Sequence, residues 1–228
     1  RDRDSDMAAR GLVAFDQLDA ALQGAVRHVY ESSFPLALRA PWEEITANRP
    51  DERLLVLLDD VIRDDPPVGL VLVRHLGATS MTFLRYFVVD AQRRSRGYGS
   101  ALFTDLVTYL RAAERSMLLL DVEDPAGRPD DSAERRDDLR RIEFYKRHGV
   151  HMLAVRDYAP PDHGQEGEEP RLLLMGAFLS EPDEGGSLHG PAPSGSALRD
   201  AVVAAYQDRY GLDPGHQVVQ DTLRASAL

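Results

Sequence analysis

The sequence predicts an α/β chain, of the α+β kind, in which a sheet is flanked by helices. Three observations carry that expectation. The stretch Phe83–Leu110 reads as a strand, a loop rich in Arg and Gly, and a helix. Apolar runs at 53–58, 68–75 and 117–122 are nearly continuous, as in strands covered on both faces. Several other segments repeat their apolar residues at helical spacing. The 228 residues, 43% of them hydrophobic, suffice for one large core with an extension.

In order, the opening segment holds charge without an apolar run after it, so no signal peptide is read and Met7 is expected to begin the protein. Gly11–Phe15 is a short first strand. Asp16 is expected to cap a helix in which Leu18, Leu22, Val26 and Val29 recur. A second short helix follows Pro41. Strands at 53–58 and 68–75 flank an acid- and proline-rich turn, and Gly77-Ala78-Thr79 turns the chain into the Phe83 strand. That strand is rich in aromatic and β-branched residues, and Leu102, Phe103, Leu106, Val107 and Leu110 mark the helix after it. Beyond the 117–122 strand, 124–138 reads as a polar linker into a helix at 139–148 closed by Gly149. Strands at 150–158 and 171–179 flank an acidic loop at 160–170. The domain reading is therefore a core over 7–180, a Pro/Gly/Ser-rich linker over 181–196 and a helical extension over 197–228. Leu198, Val202, Ala205, Tyr206 and Tyr210 give the extension an apolar stripe that should dock on the core or on a partner chain, which leaves a homodimer open.

Composition excludes several classes. Cysteine is absent, so disulfides, thiolate metal sites and a cysteine nucleophile are ruled out. His75, His151 and His163 lack metal-ligand spacing, and no metal is expected. A net charge of −11 argues against nucleic acid as the main partner and suits a cationic amine. No apolar run approaches the roughly 20 residues of a membrane span. Cytoplasm is the expected compartment. Lys146 is the only lysine among many arginines, a bias that suggests a GC-rich bacterial genome.

The loop Arg94-Ser95-Arg96-Gly97-Tyr98-Gly99-Ser100 is the richest in chemistry. Gly97 and Gly99 let the backbone take positive φ and let a ligand come close. The helix behind them opens with free amides, and the arginines can hold phosphate. Neither the Walker spacing nor the dinucleotide fingerprint is met. The pattern R-x-x-G-x-G after a strand ending Val88-Val89-Asp90 resembles the pyrophosphate segment of the GNAT superfamily of acyl-CoA-dependent N-acyltransferases. A second segment, Phe144-Tyr145 followed by Gly149, is similar to that family's later helix.

The resemblance spans about Gly11 to Leu179 and implies a mixed, mostly antiparallel sheet, splayed between strands four and five around acetyl-CoA or another acyl-CoA. It implies that the backbone of Val88 and Val89 pairs with pantetheine, and that amides from Arg94 to Ser100 hold pyrophosphate. Tyr145 would protonate the leaving thiolate. Asp121 and Glu123, two apart on one strand, are candidate bases or anchors for the amine of a small molecule or peptide. Phe34, Arg39, Trp42 and Tyr86 are candidate acceptor contacts. The alternatives are a non-catalytic acyl-CoA sensor and a toxin acylating aminoacyl-tRNA through a stripe of Arg85, Arg93 and Arg94.

Overall fold

The computed structural model describes residues 11–34, 39–59, 66–77, 79–159, 171–179 and 188–228. The expected starting Met7, the 160–170 loop with His163, and residues 181–187 of the linker lie outside the described residues. The chain forms seven strands: β1 Gly11–Ala14, β2 Glu52–Leu58, β3 Gly69–His75, β4 Met81–Val89, β5 Met117–Glu123, β6 His151–Met152 and β7 Leu172–Phe178. Six helices accompany them: α1 Ala20–Ser33, α2 Trp42–Ile45, α3 Tyr98–Ala112, α4 Ala133–Arg147, α5 Gly195–Tyr210 and α6 Gln217–Ala225. Strand order is β1-β2-β3-β4-β5-β7-β6. All the described ladders are antiparallel except β4 with β5. This is the sheet flanked by helices that the sequence predicts, mixed and mostly antiparallel as the resemblance implies.

The chain divides into two compact units. The first takes the described residues up to Arg74 together with Leu84–Ala113. Its core joins Val26, Val29 and Tyr30 of α1 to Leu54, Val56, Leu70, Leu72 and Val88 of the strands. Helix α1 starts at Asp19, whose Oδ1 accepts from the Leu22 amide at 2.9 Å. The expected cap, Asp16, instead sits in a single 3-10 turn, Phe15–Gln17, which spends three residues between strand and helix. Val68 O accepts from Asp90 N at 2.9 Å, so the end of β4 lies beside the start of β3, as in an antiparallel pair.

The second unit takes His75–Phe83 and Glu114–Leu228. There β4 and β5 pair in parallel at Met81↔Met117, Thr82↔Leu118 and Phe83↔Leu119. The 139–148 helix starts earlier than expected. Ser132 Oγ accepts from the Arg135 amide at 3.1 Å and caps α4 at Ala133, inside what reads as linker. The charge of 133–138 hides that turn from an apolar count. Gly149, at φ +82°, ends the helix as expected.

The sixth strand is shorter than the 150–158 run suggests. Past Met152 only the Leu153 amide continues the ladder, to Leu174 O at 3.0 Å. The chain then leaves for α6, with Arg156 N donating to Ser226 Oγ at 2.8 Å and Thr222 Oγ1 to Asp157 O at 3.0 Å. Leu153 and Tyr158 join Phe83, Met117, Leu119 and Leu174 in a core completed by Leu198, Val202 and Tyr206 of α5 and Val219 and Leu223 of α6. The extension thus supplies much of this core, and burial of each such side chain contributes about 1.5–3 kcal/mol. Its last helix begins at Gln217, after a turn that Pro214 occupies, with His216 as cap.

Candidate functional site

In the first unit, β4 gives way to a 3-10 turn at Ala91–Arg93, after which Arg94 Nε donates back to Val89 O at 3.1 Å. Ser95 has φ +63° and Gly97 +85°. An L side chain at such angles costs about 1–2 kcal/mol, so the loop holds strain at Ser95 and avoids it at Gly97. Gly97 is the cap of α3; no side chain bonds that end and its first turn contains no acid. The opening amides of α3 and its positive dipole end are therefore offered to an anion, beside exposed Arg94 and Arg96. The Tyr98 hydroxyl is committed elsewhere. It donates to Asp59 Oδ2 at 2.7 Å, and that bond, more than burial, pushes its pKa up. Arg93 Nη1 stands 3.7 Å from the same oxygen. Upstream, Val88 is buried and Val89 half-buried.

The acceptor candidates of this unit fall into two kinds. Phe34, Trp42 and Tyr86 surround Tyr30, with ring centroids 5.7, 5.9 and 5.3 Å away. Sequence reading missed Tyr30, although it lies a turn beyond Val26 on the same helical stripe. Its hydroxyl donates to Ala40 O at 3.0 Å, while Tyr86 Oη accepts from Ala40 N at 2.9 Å. Burial first, then Tyr86, raises the Tyr30 pKa well above the usual range. Arg39 is turned onto the end of α1, with Nη1 2.7 Å from Glu31 O.

Arg85 is likewise occupied. It binds the buried Glu52 and, at 3.2 Å, Glu44, while Arg74 holds Glu52 at 2.8 Å. Burial alone would lower the Arg85 pKa, and the two carboxylates outweigh it. A cavity of about 590 Å³ opens along β1, β2 and Tyr109, lined by none of the four acceptor candidates and by no residue of the glycine loop.

In the second unit, Asp121 and Glu123 stand at the end of β5, and each is met by an arginine from a different helix. Arg141 of α4 binds Glu123, and Arg209 of α5 binds Asp121. Tyr145, on α4, is buried. Burial chiefly pushes its hydroxyl well above the usual phenol range; Arg141 pulls the other way and Asp121 adds to the rise. Phenol, carboxylate and guanidinium therefore share one electrostatic neighbourhood. Such a phenol stays protonated at any ordinary working pH and can donate a hydrogen bond or a proton. Among the described residues no cluster of acids and histidines could hold a metal, and no helix is long and apolar enough to cross a membrane.

The model of the acetyltransferase (GNAT) family matches residues 23–150. The chain belongs to that family. It is an N-acyltransferase enzyme by membership, and the seven-stranded sheet agrees with solved GNAT structures. A GNAT-family protein from Bacteroides thetaiotaomicron superposes with a TM-score of 0.60 at 18% identity, over 90% of this chain and 99% of that one. The ribosomal-protein-S18-alanine N-acetyltransferase of Escherichia coli gives 0.51 at 17%, over 80% and 100%. An aminoglycoside 6'-N-acetyltransferase complexed with coenzyme A gives 0.54 at 19%, over 75% and 99%. No curated protein sequence matches. In this GNAT chain the family segment holds the glycine loop, both β5 acids and Tyr145, while Arg209 lies beyond it. Arg209 nevertheless had a signal in the sequence: a charge on the stripe Leu198, Val202, Ala205 that should be apolar.

Proposed function

We propose that this GNAT enzyme moves an acetyl or other acyl group from CoA directly to an amine of a small molecule or peptide, within a ternary complex. The observation that carries the reading is the start of α3, an uncapped, acid-free helix end behind a left-handed glycine and flanked by arginines. Amides from Arg94 to Ser100 bind the pyrophosphate, and the backbone of Val88 and Val89 pairs with pantetheine. A strand-four amide steadies the tetrahedral oxyanion.

Tyr145 gives its proton to the departing thiolate. Glu123 or Asp121, each paired with an arginine, attracts the acceptor ammonium and takes its proton, directly or through water. Phe34, Trp42 and Tyr86 provide apolar contact for the acceptor. Arg39, turned onto a backbone carbonyl, serves by holding the end of α1. The enzyme is read as cytoplasmic and bacterial. The aminoacyl-tRNA reading loses support, because Arg85 is neutralised by two glutamates and Arg93 lies near Asp59.

The test is calorimetry with acetyl-CoA, followed by release of free CoA in the presence of a panel of primary amines. Because the protein has no cysteine, a thiol reagent reports CoA alone. Saturable acetyl-CoA binding with amine-dependent thiol release supports the proposal. Binding without release for any amine would turn the reading to the sensor, and neither would remove it altogether.

A further inference from the structure

Asp121 is singled out by its surroundings within the second unit. It lies two residues past Leu119, the last β5 residue paired with β4. From the far end of α5, Arg209 reaches this carboxylate with its guanidinium 4.8 Å from the centre of the Phe83 ring and 5.2 Å from that of Tyr210. The arginine thus lies against two aromatic rings, with its charge delivered to one carboxylate. Such a placement needs the planar guanidinium, which stacks and bonds at once. The helix that carries it is fixed: Leu198, Ala201, Val202, Ala205 and Tyr206 are buried in the core shared with Phe83 and Leu119. An arginine on an otherwise apolar helix stripe is expensive to keep dry without a partner, and Asp121 is that partner.

We propose that Arg209 is a positioning residue for acyl transfer, fixing the Asp121 carboxylate at the end of β5 so that the C-terminal helices form part of the acceptor side of the site. The proposal rests on the acyltransferase reading and adds to it a residue outside the family segment. The groups in the field of Asp121 are Arg209 and Tyr210 from α5, Tyr145 from α4, and Tyr158. Glu123 shares the strand and is occupied by Arg141. Arg209 is the sole cation in that set. Removing it frees the Asp121 side chain to rotate and changes the surroundings of its carboxyl carbon.

The experiment uses the full chain as wild type, R209M and R209K. Acetyl-CoA affinity is measured by calorimetry, and thiol release is followed with putrescine, tyramine and an alanyl peptide as acceptors. The Asp121 carboxyl carbon is followed by NMR at one fixed pH, assigned with D121N. R209M should keep acetyl-CoA affinity within about twofold, lose about tenfold or more in kcat, and move the Asp121 carboxyl resonance. R209K should recover part of both effects. Should R209M fail to fold, R209Q takes its place with the same readouts. An active wild type with an equally active R209M and an unmoved Asp121 resonance overturns the role of Arg209 alone. A wild type that neither binds acetyl-CoA nor releases CoA overturns the acyltransferase reading, whatever Asp121 does.

Discussion

Replacing Gly97 with Ala adds one methyl group at a position where a Cβ would meet no atom within 4 Å. Sterics against protein atoms therefore contribute nothing, and the cost is that of holding an L residue at φ +85°. That cost is about 1–2 kcal/mol, which for a chain of this size lowers Tm by about 2–8 °C. Gly24 makes the matched control. It lies within α1, its Cβ would also meet nothing within 4 Å, and there the same methyl should stabilise by about 1 kcal/mol. Scanning calorimetry of G97A and G24A should thus show shifts of opposite sign for the same chemical change. If a pyrophosphate lies over Gly97, the methyl also stands in its path, and acetyl-CoA affinity should fall about tenfold, 1.4 kcal/mol. G24A should bind as wild type does. Equal Tm for G97A and wild type would refute the left-handed cap. A lowered Tm with unchanged affinity would refute the loop as the anion seat.

Tyr145→Phe keeps the ring and its packing, so acetyl-CoA affinity should hold while kcat falls about 10²-fold; steady-state turnover within threefold of wild type would leave Tyr145 a packing residue. Glu123→Gln should slow turnover most at acid pH, where a neutral amine is scarce, and a pH–rate profile parallel to wild type would make Glu123 an anchor only. Burial raises the pKa of Tyr30, Tyr145, Tyr158, Tyr206 and Tyr210. Their neutral forms are favoured by folding, so stability is fully present below the unfolded value of about 10 and drains away above it. Phenolate absorbance should show these five ionising together with alkaline unfolding; free titration of all five in a folded protein would contradict their burial. Truncation after Pro182 removes Leu198, Val202, Tyr206, Val219 and Leu223 from the second core, so circular dichroism and solubility should report loss of that unit, and a soluble, cooperatively melting product would show the core self-sufficient.

Strands and the glycine loop were readable because their causes are local. Alternation marks β4, and only a residue without Cβ suits φ +85° at Gly97. Where local rules competed, they misled. Asp16 and Asp19 are both competent caps, and a 3-10 turn decided between them. The apolar run after Val150 looks like strand because Leu153 and Tyr158 are buried and Val155 partly so, yet the core they join is completed by helices α5 and α6. The partners of the β5 acids could not be read at all, since Arg141 and Arg209 reach Glu123 and Asp121 from distant segments. A charge on a helix stripe betrays that a partner exists but not which one.

The order of the strands carries a temporal consequence. β7 is made after β6 but lies between β5 and β6, pairing with β5 over its full length from Met117↔Phe178 to Glu123↔Leu172. On an emerging chain, β5 and α4 must wait for a strand some fifty residues downstream, and β6 has its sheet neighbour only when that strand arrives. The helices that cover Phe83 and Leu119 are later still. The core of this half therefore stays incomplete until α5 and α6 have joined it.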